Sequence, residues 1–358
     1  MTASDPSLVR PAPERILLIR PSALGDVART VPMIVSLRKA FPRARIDWLV
    51  QEGFEAVIAS HPDLDEAIGF PRKALGRSLR KGSIGQLTRW TRMLRERRYD
   101  VVIDAQGLFR SAWIAWTTGA KIRVGHAEAR ECAGIFYSRR IHARSTHTVD
   151  RMLDLLCAVG VDPVRDMRLY VGDGVSVDAP DGSIVLAPTS RWAAKRWPAD
   201  RFGALTRRLL ARTPHTVSVV GGPDERDQCE EVLAIARSNP RVVDLVGKTD
   251  VAGLARAIAG SRLVIANDSA AAHIAVGFDR PLVALYGPTN TACVGPYRRE
   301  SDVLQRLRPE DNFAHKDPKN VEAMRRIDVE DVWRACVQRL GTANPSAPVE
   351  PRRVEPVG

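Results

Sequence analysis

The chain has 358 residues, 44% of them hydrophobic, and a formal net charge of +12. That length exceeds one ordinary core and points to two domains, while the basic balance calls for an anionic partner: nucleic acid, a phosphorylated ligand or an acidic membrane surface. With only 6% aromatics, a stacking platform for single-stranded nucleic acid finds little support.

Five scattered cysteines, Cys132, Cys157, Cys229, Cys293 and Cys336, include no CxxC pair. A zinc site is therefore not expected, and free thiols in a reducing cytoplasm are. No apolar leader or stretch of eighteen apolar residues is seen, so neither export nor a membrane span is expected.

In chain order, the strand candidates are "RILLIR", "RIDWLV" and "YDVVIDA", then "SIVLAP", "TVSVVGG", "RVVDLVG", "RLVIAND" and "PLVALYG". Short β-branched runs alternating with helix-length segments predict an α/β fold, with doubly wound parallel sheets covered on both faces. Gly, Asp and Pro cluster in "YVGDGVSVDAPDGS" and interrupt the series. A linker over 173–183 then separates a first domain, 14–172, from a second, 184–341, with disordered tails at 1–13 and 342–358.

In open α/β sheets, ligands gather beyond the carboxyl ends of strands, so the strand-to-helix turns are the places to seek a site. The first, "RPSALGDVARTVP", turns through Gly25 and sets Asp26 at a helix start, either as an ordinary N-cap or as a general base facing a cleft. Between Pro71 and Asp100 ten arginines and lysines form a solvated face or a surface for anionic lipid.

In the second domain, "LAPTSRWAAKRWP" places Thr189, Ser190 and Lys195 after a strand, a set suited to a diphosphate. "VVGGPDERD" adds a glycine turn with acidic residues that could accept from a ribose or adenine, or simply cap. In "NDSAAAHIAVGF", Asp268 or Ser269 is expected to cap a helix whose first-turn N–H groups suit a phosphate. Ala270, Ala271 and Ala272 leave room for close approach, and His273 lies one turn on, as a ligand contact or a structural histidine.

Two look-alikes fail. "VGKTD" lacks the first glycine of a phosphate-binding loop, since Val242 stands there, and "DLD" at Asp63–Asp65 is too common to mark a metal site. No GxGxxG follows the first strand, which weighs against a dinucleotide enzyme.

Taken together, "ALGDVARTVP", "WLVQEGF", "YDVVIDAQGLFRSA", "FYSRR", "HTVDR", "KRWP" and "NDSAAAHIAVGFDRPLVALYGPT" resemble, in order, the ADP-heptose:lipopolysaccharide heptosyltransferases, inverting enzymes of GT-B type. The resemblance spans residues 15–340, and its middle motifs are most similar to the members that add the first heptose to the Kdo region. It implies Asp26 as catalytic base, and Thr189, Ser190, Lys195, Glu225, Asp268, Ser269, Ala270 and His273 as donor contacts. It implies acceptor contacts at Arg72, Lys73, Arg110, Arg130, Glu131 and His147. The implied donor is ADP-heptose and the acceptor Kdo-lipid A, with no cofactor and no metal. The implied protein is a cytoplasmic monomer, peripheral on the anionic inner face of the inner membrane, that binds no nucleic acid.

The resemblance further implies that the last helix, in "IDVEDVWRACVQRL", returns onto the first domain. Ala270 replaces the family's glycine, Cys132 its proline after Arg-Glu, and the segment from Gly125 to Arg130 is shorter. The alternatives are a second heptosyltransferase, another donor sugar, or a nonenzymatic protein binding anionic ligands.

Overall fold

The first sheet of the computed structural model, which describes residues 11–342, comprises β1 (Arg15–Ile19), β2 (Arg45–Gln51), β3 (Glu66–Phe70), β4 (Val101–Asp104), β5 (Ile122–His126) and β6 (Arg139–Ile141). Helices α1 (Leu24–Ala40), α2 (Arg72–Arg80), α3 (Gly85–Glu96), α4 (Phe109–Thr117) and α5 (Thr148–Asp154) accompany it. The second sheet comprises β7 (Ile184–Ala187), β8 (Val217–Val219), β9 (Val242–Asp244), β10 (Leu263–Asn267), β11 (Leu282–Tyr286) and β12 (Val303–Gln305). With it come α6 (Ala199–Arg212), α7 (Arg226–Ala236), α8 (Val251–Ala259), α9 (Ala270–Gly277), α10 (Thr291–Val294), α11 (Glu322–Arg325) and α12 (Val329–Thr342).

The strand orders are β3-β2-β1-β4-β5-β6 and β12-β11-β10-β7-β8-β9. Counted from each sheet's own first strand, both read 3-2-1-4-5-6, and all pairs are parallel. The expected α/β, doubly wound class is what forms. The order reverses between β1 and β4 in one sheet and between β7 and β10 in the other, which opens a crevice at each carboxyl edge.

All eight predicted strands form. The unanticipated ones are β3, β5, β6 and β12, three of them at sheet edges. An edge strand is not buried on both faces, so "EAIGF" and "RRI" carry charges and no continuous apolar run. In β1, by contrast, Ile16 and Leu18 enter one core cluster while Leu17 and Ile19 enter the cluster on the opposite face.

One apolar cluster joins the two halves. It runs from Ile16 and Leu18 through α1 and α9 to Val185 and Val264 of the second sheet. Helix α1 is buried around most of its circumference, Val27, Val31 and Ile34 among others, because its own sheet covers one side and α9 the other. The chain makes contact with the second half before the expected linker, Leu169 donating its N–H to Gly277 O at 2.8 Å.

The last helix differs from expectation. Val332 and Cys336 of α12 enter the second core, and the helix packs on α6, β10 and β11 rather than returning onto the first domain. Its apolar stripe matches the exposed face of that sheet, and burying it there satisfies it locally. The tails expected to be disordered lie outside the described residues, except for 11–13 and 342.

Gly25 sets the closeness of α1 to α9. A Cβ there would lie 2.9 Å from His273 Cδ2 and 3.2 Å from Ala270 Cα. For Gly25→Ala, overpacking of about 1–3 kcal/mol should outweigh the roughly 1 kcal/mol that alanine gains over glycine in a helix. A lowered Tm in thermal unfolding is the expected result; an unchanged or higher Tm would show that the two helices can separate freely.

Candidate active site

The two carboxyl edges face one another across a cleft of ≈ 670 Å³. From the first domain Leu24, Gly25, Asp26, Arg29 and Phe54 line it; from the second come Thr189, Ser190, Lys195, Glu225, Asp268, Ser269, Ala270 and His273. Segments far apart in sequence meet here because β1, β7 and β10 are all central strands with helices or loops leaving their carboxyl ends.

Asp26 is not the N-cap. Helix α1 begins at Leu24 after Ala23, so Gly25 lies inside the first turn rather than in a loop, and Asp26 occupies its third position. The Asp26 carboxylate accepts the Ala23 N–H at 3.1 Å and pairs with Arg20 Nη2 at 3.0 Å and with Arg29. Burial pushes this carboxyl up, but Arg20 and Arg29 outweigh it and hold it well below the usual carboxylate range. Arg29 also donates to Val294 O at 3.1 Å, tying the surroundings of Asp26 to the second domain.

On the opposite wall, Lys195 Nζ pairs with Asp268 Oδ2 at 2.7 Å, and Thr289 Oγ1 donates to the same oxygen at 2.7 Å. The cap expected from Asp268 or Ser269 is absent: Asp268 is committed to Lys195 and Thr289, and Ser269, in the N-cap position, makes no side-chain cap bond. The first-turn N–H groups of α9 and the Ser269 hydroxyl therefore remain open to an anion. The Ser190 N–H donates to Gln228 Oε1 at 3.1 Å, and its hydroxyl donates to Asp268 O at 3.4 Å. Glu225 spends one carboxylate oxygen on Gly222 N–H at 2.8 Å, so capping accounts for half of that group.

Among the described residues, Arg20 Nε and Arg29 Nε on the two arginines that hold Asp26, with His273 Nδ1 and Tyr286 Oη, are buried without a partner. Unsatisfied buried groups are rare enough that a ligand or water is their ordinary explanation. His273 is 5% exposed; burial first, then the Arg29 charge, drives its pKa well down, so it is neutral near pH 7.

The six acceptor candidates do not line this cleft. Arg72 and Lys73 open α2, exposed and without side-chain partners among the described residues. Arg110 lies in the first turn of α4; Arg130 donates its N–H to Gly107 O at 3.0 Å just before that helix, and Glu131 accepts the Phe109 N–H at 3.2 Å. His147 caps α5, accepting Val149 N–H at Nδ1, 3.2 Å, and its Nε2 donates to Gly295 O at 3.1 Å, across the domain seam. Its observed contacts are a helix cap and one bond between the halves. The "DLD" look-alike is occupied locally: Asp65 holds Arg38 at 2.5 Å and the Ile46 N–H at 2.7 Å, at the strand edge away from the cleft.

Arg29, Phe54, Trp192, Thr249 and Leu254 line the cleft without having been singled out from sequence. Arg29 was legible, since it lies one helical turn beyond Asp26. Phe54 and Leu254 carried no signal, because they reach the cleft only through the docking of the two domains.

Paired doubly wound sheets facing a shared cleft define the two-domain GT-B architecture. The pattern of glycosyltransferase family 9 (heptosyltransferase) matches residues 87–321. Lipopolysaccharide heptosyltransferase 1 of Pseudomonas aeruginosa is 33% identical over 300 residues, 80% of this chain and 82% of that protein. Its Escherichia coli K12 counterpart is 28% identical over 302 residues, 81% of this chain and 93% of that protein. Among solved structures, E. coli heptosyltransferase WaaC with ADP superposes with a TM-score of 0.72 at 24% identity, covering 91% of this chain and 99% of that one. E. coli ADP-heptose heptosyltransferase II gives 0.75 at 23%, covering 91% and 98%. This chain belongs to glycosyltransferase family 9, the heptosyltransferases.

The charge arrangement around Asp26 has a pH consequence. Its lowered carboxyl contributes stability that is present above the unfolded value, about 3.9, and is lost as pH falls through the lower folded value. Arg29→Gln removes one guanidinium, so the Asp26 carboxyl, followed by carbon NMR, should titrate at higher pH than in the unsubstituted protein. The same midpoint in both would remove Arg29 from this account.

Proposed function

We propose that the protein transfers heptose from ADP-heptose to a Kdo sugar of a lipid A precursor, with inversion and without a metal, at the inner face of the inner membrane. The carrying observation is that a single cleft sets the Asp26 carboxylate opposite Lys195, Ser269 and the open N-terminus of α9. The names of the heptosyltransferase 1 relatives support the first heptose as the product. A heptosyltransferase 2 relative is 27% identical over 313 residues, which makes second-heptose transfer the runner-up.

In this reading the donor diphosphate binds Lys195, Thr189, Ser190, Ser269 and the first-turn N–H groups, with Glu225 toward the nucleoside end. These groups stabilise the charge developing on departing ADP. Asp26 takes the acceptor hydroxyl proton as the oxygen attacks the anomeric carbon, a contribution of about 10²- to 10⁴-fold. A carboxylate clamped by two guanidiniums is a weak base. An acceptor carboxylate or phosphate arriving at Arg20 or Arg29 takes over part of that pairing and restores its basicity. Arg72, Lys73, Arg110, Arg130, Glu131 and His147 are proposed on the acceptor side, with the runs of Arg and Lys turned toward the anionic membrane.

Incubation with ADP-heptose and Kdo-lipid A should release ADP and yield heptosylated lipid equally with and without EDTA. Loss of product in EDTA would overturn the metal-free chemistry, and tight donor binding without product would move the acceptor elsewhere. Lys195→Ala should weaken ADP-heptose binding at least tenfold by calorimetry, roughly the loss of one charge-assisted bond. Asp26→Ala should abolish transfer but keep donor affinity; parallel loss of both would reduce Asp26 to a structural residue.

A further inference from the structure

The wall that carries Lys195 is backed by a segment with no part in the site described so far. Residues 308–317 follow β12, at the edge of the second sheet opposite β9, and lead into a short helical turn, Pro318–Val321. That turn packs on another, Ala193–Lys195. A side chain on Gly287, just after β11, would strike Ala194 O and Met324, so the layers are closely stacked here. The segment is braced from within: Asn320 Nδ2 donates to Asn312 Oδ1 at 2.9 Å and to Ala314 O at 3.0 Å, and Asp311 holds Arg326.

Two of its side chains approach the cleft wall. Burial, then the charge of Lys195, lowers the His315 pKa below the ordinary histidine value while Asp268 opposes them, so this part of the segment lies within electrostatic reach of both. Lys316 Nζ rests 5.8 Å from the centre of the Trp192 ring, and Trp192 lines the cleft. Lys316 is exposed and has no ion-pair partner among the described residues. The carboxylates in its surroundings are engaged elsewhere: Asp268 by Lys195 and Thr289, Glu310 by Arg308, Asp311 by Arg326, and one oxygen of Asp317 by the Lys319 N–H at 2.9 Å.

We infer that Lys316 is a second cation for the donor diphosphate, held on Trp192 until phosphate oxygens draw it into the cleft. Lys195 alone matches that ligand poorly, because its ammonium is already paired with Asp268 at 2.7 Å and a diphosphate brings more than one negative charge. An exposed cation–π contact counts for about two- to fivefold in an equilibrium, and a charge-assisted bond to phosphate for about ten- to a hundredfold. The ammonium therefore transfers. A lysine suits the move, since its four-carbon stem is flexible and its donors need no fixed plane. Topology agrees: Glu225 and Thr249 follow β8 and β9, on the nucleoside side, whereas Lys316 comes from the β12 side, toward the terminal phosphate. The inference rests on the reading of the Lys195 loop as the donor diphosphate site.

The test is titration calorimetry of the full chain with ADP and with AMP. Lys316→Gln should weaken ADP binding roughly tenfold and leave AMP, which lacks the terminal phosphate, nearly unchanged. Lys316→Arg keeps the charge and should restore most of the ADP affinity. Lys319→Gln removes the same charge from the exposed neighbouring turn and should alter neither affinity. All three variants should keep the native Tm, as surface substitutions do. Equal loss of ADP and AMP would reduce Lys316 to a support of the Trp192 wall, and equal loss in Lys319→Gln would reduce it to part of a general basic field; either result overturns the inference. ADP bound alike by Lys316→Gln and the unsubstituted protein would overturn it too, while leaving the donor reading intact. Failure of the unsubstituted protein to bind ADP would overturn the donor reading itself.

Discussion

The whole molecule hangs on the contact between two helix starts, α1 at Gly25 and α9 at Ala270 and His273. Each helix leaves the carboxyl end of a central strand at the point where its sheet reverses order, β1 in one domain and β10 in the other. Pressing them together places two crevices mouth to mouth, so that neither domain holds a complete site. A glycine on one side and alanines on the other make the approach possible, because any side chain at residue 25 would meet the His273 ring or the Ala270 backbone. The apolar cluster shared across the seam follows from the same contact.

Around that junction the charges are arranged in opposed pairs rather than left free. Asp26 is held by Arg20 and Arg29, and Lys195 by Asp268 with Thr289 behind it. Such pairing fixes the side chains before any ligand arrives, which is how a site avoids reorganising during reaction. The unpaired remainder is informative: Arg29 Nε, His273 Nδ1 and Tyr286 Oη are buried without partners, and the Ser269 hydroxyl makes no cap bond to its helix. Arg29 links the two halves electrostatically as well as sterically, since it holds both the Asp26 carboxylate and the Val294 carbonyl. A change in domain spacing would therefore alter the environment of the carboxylate directly.

Local chemistry misled where it stood alone. Capping was the ordinary expectation for Asp26 and for Asp268 or Ser269; Asp26 is not an N-cap, and Ser269 holds the N-cap position of α9 without a side-chain cap bond. Asp26 lies a turn position deeper than the spacing indicated, because α1 starts before the glycine rather than after it. His147, expected near an acceptor, is occupied as a helix cap and as a bond across the seam. The other acceptor candidates, Arg72, Lys73, Arg110, Arg130 and Glu131, are exposed and lie outside the cleft lining. The final helix was misjudged for a different reason: its amphipathic pattern shows that it must bury Val332 and Cys336, not which sheet receives them.

By itself the sequence determined the class and the inventory. Continuous apolar runs identified the strands buried on both faces, and helix-length intervals between them required parallel pairing, so an α/β doubly wound fold was legible without coordinates. The order of the motifs marked the strand-to-helix turns whose residues line the cleft. Edge strands such as β3 and β6 escaped because half-exposed strands need no apolar run. Only the tertiary structure decided that Asp26 and Lys195 share one cleft, that Phe54 reaches it from the first domain, and that α12 stays on the second. These facts depend on how two surfaces meet, and the shape of a meeting surface is set by side chains far apart along the chain, beyond the reach of any local pattern.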